Sequence, residues 1–131
     1  VRVLALDHGA VRTGVAVSDP SGTLARPLTV VANVDGDVGF TALLKLLADE
    51  APERIVVGLP VSLDGAERDQ AARARAFAAR LAAAIDVPVA LYDERFTSKL
   101  ADQRGGRAAR DARAAATLLE DYLRCTGEQP A

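Results

Sequence analysis

Apolar residues in this chain change their period twice, and each change marks a new kind of element. Residues 1–7 (VRVLALD) and 13–18 (TGVAVS) are short apolar runs suited to extended backbone, separated by the glycine-bearing stretch 8–12. They read as two strands of a hairpin. A turn cluster at 19–22 (DPSG) leads to a third strand over 24–31, where Thr29, Val30 and Val31 favour extended backbone. The period then becomes helical: Phe40, Leu43, Leu44 and Leu47 recur at three- and four-residue intervals, predicting a helix over 37–50 that stops before Pro52. Residues 54–59 (RIVVGL) are continuously apolar, as in a strand covered on both faces. Alanine and arginine dominate 67–85, with Ala74, Phe77, Ala78, Leu81 and Ile85 on one stripe of a long helix. A fifth strand follows over 87–92 (VPVALY). Beyond it come a short helix after Thr97, an interruption at Gly105 and Gly106, and a final helix over 111–123 that ends before Gly127.

The order βββαβαβα implies a mixed five-stranded sheet, three antiparallel strands and then two parallel ones, flanked by helices. The class is α/β. The C-terminal ends of the first, fourth and fifth strands then emerge at one edge, where open α/β sheets bind ligands. Those ends carry Asp7, Gly58-Leu59-Pro60, and Asp93-Glu94. A chain of 131 residues, half of them hydrophobic, makes one domain, expected over 1–124 with a frayed tail at 125–131. No apolar run approaches the ~20 residues of a membrane span, and no signal-peptide pattern opens the chain. The single Cys125 excludes an internal disulfide, so a cytoplasmic protein without membrane association is expected. The chain contains no methionine, from which a native start that is missing or processed is expected.

Net charge is −2 and the isoelectric point near 5.4, which argues against nucleic-acid binding through the bulk field. A local patch changes that picture. From Arg95 to Arg113 six basic residues stand against two acidic ones, a net +4 in an acidic chain. Taken singly, the candidate acids have ordinary readings. Asp111 could cap the last helix for about 0.5–2 kcal/mol, Asp7 could cap a turn, and Glu94 could join a surface ion pair worth under about 1 kcal/mol. Convergence distinguishes them. On the last helix Asp111 shares its stripe with Ala115, Leu118 and Tyr122, so it faces the sheet at the helix start. Carboxylates gathered at one edge repel unless a cation neutralises them, and hard oxygen donors select Mg²⁺ or Mn²⁺ over zinc. Asp7, Glu94 and Asp111 are therefore the candidate catalytic and metal-binding residues. Such a site is suited to phosphodiester hydrolysis. Arg12, Arg95, Arg104, Arg107 and Arg110 would hold phosphates, and Thr97 is a further candidate contact. Gly9 and Gly14 suggest tight turns beside the site, and His8 reads as a bystander in its turn.

The blocks LDHGAVRTGVAVSD (6–19), VVGLPVSLDG (56–65), F-A-x-x-L (77–81), YDERFTS (92–98) and DARAAATLLEDYL (111–123) together resemble the YqgF/RuvX family, in order and across nearly the whole chain. The resemblance implies an RNase H-like fold, and activity as a Holliday junction resolvase or as a nuclease maturing the 5′ end of 16S ribosomal RNA. It places the family's acids on Asp7, Glu94 and Asp111. Two departures stand out. The acid that better-known resolvases of this fold carry at the fourth strand is replaced by Gly58-Leu59-Pro60, and Val11 occupies the family's usual lysine position before Arg12.

The first expectation is thus a metal-dependent endonuclease acting on precursor ribosomal RNA, with branched DNA as the alternative substrate. A two-fold symmetric junction favours a homodimer; RNA trimming does not require one. A different class, a non-catalytic nucleic-acid-binding module, is disfavoured by retention of all three acids. A third, an actin-like or sugar-kinase ATPase, needs two such domains around a nucleotide.

Overall fold

The computed structural model describes residues 1–60, 69–93 and 107–126, with side chains in the last helix described from Arg110 to Arg124. Its elements are β1 (Val3–Asp7), β2 (Arg12–Ser18), β3 (Ala25–Ala32), α1 (Asp37–Glu50), β4 (Arg54–Leu59), α2 (Asp69–Ala84), β5 (Val89–Asp93) and α3 (Arg107–Thr126). The sheet order is β3-β2-β1-β4-β5. β1 pairs antiparallel with β2, and β2 with β3, while β1–β4 and β4–β5 are parallel. This is the mixed sheet that the pattern predicts, and the C-terminal ends of β1, β4 and β5 share one edge.

Alternation along the strands sorts side chains between two layers. Leu4, Leu6, Val15, Val17, Ile55 and Val57 pack with Phe40, Leu43 and Leu47 of α1 and Phe77, Ala78 and Leu81 of α2. Val3, Ala5, Ala16 and Val56 face the opposite way, onto Ala115, Ala116, Leu118, Leu119, Tyr122 and Leu123 of α3. The predicted apolar stripes on all three helices are largely buried, with Leu44 and, just past α2, Ile85 partly covered and Asp111 about one-third exposed. No helix of the described residues is long and apolar enough to cross a membrane.

Several boundaries differ from the sequence reading, for local reasons. β5 starts at Val89 because Pro88 has no N–H to give the ladder, although its carbonyl accepts from Ile55 N at 2.9 Å. The strand gains Asp93, which pairs with Leu59. α2 ends at Ala84, four residues before Pro88. α3 begins at Arg107 and runs to Thr126, since Arg107, Ala108, Ala109 and Arg110 are all good helix formers. Asp111 therefore lies in the second turn, not at the helix start, which removes the capping reading. The predicted start of α2 at Glu67, the short helix after Thr97 and the Gly105-Gly106 break lie outside the described residues.

Tight connections fix both ends of the β2–β3 hairpin. Asn33, in the left-handed region at φ 52°, donates its N–H to Val11 O at 2.8 Å, joining the end of β3 to the loop before β2. At the other end of the hairpin the Asp19 carboxylate closes the β2–β3 turn. It accepts from Ser21 Oγ at 2.6 Å, Thr23 N at 2.8 Å and Leu24 N at 3.0 Å. These bonds, the Ser21 hydroxyl foremost, lower its pKa to about 2.

Candidate active site

Asp7 is the last residue of β1, and alternation with Val3 and Ala5 turns it toward α3. Its partner in the antiparallel register is Gly14 of β2. A β-carbon at Gly14 would collide with the backbone carbonyl of Asp111, so the missing side chain lets α3 descend onto the strand beside Asp7. The backbone of Asp111 thus lies beside the strand residue paired with Asp7, 104 positions away in the chain. The sequence reading of Gly14 as a turn residue is corrected here: it lies inside β2, and its use is close approach. Gly9 is the true turn glycine, since a β-carbon there would meet the Arg12 carbonyl.

Arg12 opens β2, and its Nε–H donates to Asp111 Oδ2 at 2.8 Å. Both side chains are about one-third exposed, at 31% and 34%. Arg12, expected as a phosphate contact, is seated on one of the acids. Arg110, the residue before Asp111, is partly buried and engaged in an interaction of its own. Asp7 likewise has an interaction partner. Arg107 begins α3, but its side chain lies outside the described residues, as do Glu94, Arg95, Thr97 and Arg104 altogether. Glu94 directly follows Asp93, the last residue of β5.

His8 stands next to Asp7 yet belongs to the other layer. Its ring stacks on Phe77 of α2 at 4.9 Å, and Nε2 shares a hydrogen bond with Asp35 Oδ1 at 2.9 Å. The side chain is 2% exposed, which agrees with leaving it out of the catalytic set. What the sequence reading missed is the Arg12–Asp111 pair and the role of Gly14. The glycine's place opposite an acid in a predicted hairpin was the available signal for the second.

Among the described residues no three His, Cys, Asp or Glu side chains gather as a metal-binding group. Asp7 and Asp111 supply two carboxylates on one face, and with His8 turned away the donors there are hard oxygens. That donor set fits Mg²⁺ or Mn²⁺ in its chemistry; Glu94, expected as the third member, lies outside the described residues.

Comparison with known proteins gives concordant matches. Residues 1–125 match the family model described as "RuvX: Holliday junction resolvase". A protein of Anaeromyxobacter sp. (strain K) named "Putative pre-16S rRNA nuclease" is 41% identical, covering 94% of this chain and 96% of the relative. A protein of the same name from Bordetella parapertussis is 41% identical, covering 92% of each. Among solved structures, T. thermophilus RuvC in complex with Holliday junction substrate aligns with a TM-score of 0.59 at 18% identity, covering 98% of this chain and 97% of that one. The five-stranded sheet with its three described helices is the RNase H-like fold of that neighbour.

Proposed function

The chain belongs to the RuvX family of Holliday junction resolvases, and from that premise we propose that it is an endonuclease hydrolysing phosphodiester bonds in the precursor of 16S ribosomal RNA. The observation that supports the reading is the approach of the Asp111 backbone to Gly14, the strand residue paired with Asp7. Two anions held together in this way serve a cation-dependent reaction far better than they serve stability.

On this reading Asp7 and Asp111, with Glu94, hold one or more Mg²⁺ or Mn²⁺ ions. When bound, the ion supplies an activated water and neutralises charge building on the scissile phosphate. Hydrolysis adds water across a P–O bond, so the incoming water loses a proton and the leaving oxygen gains one. The chain's own task is positional. Asp7 is fixed by the β1–β2 ladder, and Asp111 by a helix pressed on Gly14, so neither acid needs to be ordered when substrate arrives. Arg12, Arg95, Thr97, Arg104, Arg107 and Arg110 are the residues assigned to phosphate binding on this reading, a sequence-independent contact weakened by salt. The place of action is the cytoplasm.

The family's description favours a second reading, cleavage of four-way DNA junctions. A junction has two-fold symmetry, so that activity favours a homodimer presenting two sites. The deciding experiment is cleavage of precursor 16S RNA beside a four-way DNA junction, with Mg²⁺ or Mn²⁺, for the wild type and Asp7→Asn. RNA cleavage by the wild type and none by the variant is expected. Equal cleavage by the two proteins would reject the site.

A further inference from the structure

The contact between Arg12 and Asp111 is single-pronged. Arg12 Nε–H meets Asp111 Oδ2 at 2.8 Å, and neither side chain has another hydrogen-bonding or ionic partner among the described residues. An arginine fork seated on both carboxylate oxygens is strongly held, whereas a single contact between partly exposed side chains breaks at little cost. The backbone around Arg12 is the opposite case. The preceding Val11 carbonyl is tied to Asn33 N, and Gly9 packs against the Arg12 carbonyl. Only the side chain is placed to swing.

We propose that Arg12 is an exchangeable counter-ion: Asp111 releases it when a divalent cation binds, and a phosphate group receives it. The proposal rests on the metal reading of Asp7 and Asp111 and adds that metal and substrate bind cooperatively through this one residue. With Arg12 in place, one of the clustered acids is already neutralised. A divalent ion arriving at Asp111 meets a like charge beside it and must displace or repel the guanidinium. The freed planar fork matches two phosphate oxygens. A phosphate that takes Arg12 removes the competitor, so it strengthens cation binding. Linkage then requires the cation to strengthen phosphate binding by the same factor.

The test uses the full chain without nucleic acid. Mn²⁺ affinity is measured by calorimetry for wild type, Arg12→Gln, Arg12→Lys and Asp7→Asn, with and without inorganic phosphate. The Arg12 Nε–H signal is followed in ¹⁵N spectra during Mg²⁺ addition. Arg12→Gln is expected to bind Mn²⁺ about two- to fivefold more tightly than wild type, the span set by a partly exposed ion pair. It should also lose the enhancement by phosphate. Arg12→Lys keeps the charge and should stay within about twofold of wild type. The Nε–H signal should shift as Mg²⁺ is added. Weaker Mn²⁺ binding by Arg12→Gln would mean that Arg12 orients Asp111 for the metal, and unchanged binding would mean that it does not compete; either overturns the exchange while leaving the metal site intact. Equal Mn²⁺ binding by wild type and Asp7→Asn would remove the metal reading itself, and the exchange with it.

Discussion

Against α1 and α2 the sheet presents Leu4, Leu6, Val15, Val17, Ile55 and Val57; against α3 it presents Val3, Ala5, Gly14, Ala16 and Val56. The first face interlocks with Phe40, Leu43, Phe77 and Leu81, and its upper end is closed by His8 stacked on Phe77. Large side chains keep those helices at full packing distance. The second face is stripped to alanine and glycine around the first two strands and meets Ala115 and Ala116. There a helix backbone can touch a strand, and Asp111 comes to lie beside the strand residue paired with Asp7. One face holds the fold together, and the other trades packing volume for proximity.

Substitutions that separate the two faces test this division. The largest effect is expected for Asp111→Asn: cleavage should fall by more than about 100-fold, the upper end of the loss from removing even an outer partner of a metal ligand. Its thermal stability should stay near wild type, since the Arg12–Asp111 pair is partly exposed and worth at most about 1 kcal/mol. Leu43→Ala, in the large-residue layer, should cost about 2–5 kcal/mol in denaturant unfolding. The fraction that remains folded should cleave at the wild-type rate. Gly14→Ala should break the symmetry of that contrast. The added methyl meets the Asp111 carbonyl, so overpacking of about 1–3 kcal/mol should come with a loss of cleavage in protein that is still folded. A Gly14→Ala variant with wild-type cleavage would show that close approach of α3 is unnecessary.

Smaller effects are expected away from both faces. Ala51 ends α1 in the left-handed region at φ 48° with its N–H on Leu47 O, so Ala51→Gly should raise stability by about 0.5–1 kcal/mol without touching cleavage. Asp19 gives a pH signature. Its folded pKa lies near 2, below the ordinary 3.8, so its contribution is present above 3.8 and is lost as pH falls toward 2. Asp19→Asn should flatten that part of the acid-unfolding curve, followed by circular dichroism.

Much of this architecture is legible in the sequence because period reports burial. The 3-4 spacing of Phe40, Leu43 and Leu47 and the unbroken apolar run of β4 each have one structural solution, and the strand order then sends Asp7 and the end of β5 to the same edge. Boundaries are less legible where propensity runs on past the periodic stripe, as at Arg107–Arg110, which move Asp111 from the first turn to the second. Least legible is contact between distant residues. Nothing in the local pattern of Arg12 or Asp111 announces a bond across 99 positions, because it depends on how closely α3 packs, and that depends on a side chain Gly14 lacks. The same limit applies to His8, whose assignment to the opposite layer follows from the α2 register that brings Phe77 beneath it.

The central claim, that the small-residue face brings Asp7 and Asp111 together around a hard divalent ion, is tested most directly by anomalous diffraction from crystals grown with Mn²⁺. The account predicts a metal peak touching both carboxylates at a ligand distance of about 2 Å, absent in Asp7→Asn. A peak that touches neither acid, or one that survives in Asp7→Asn, would contradict it.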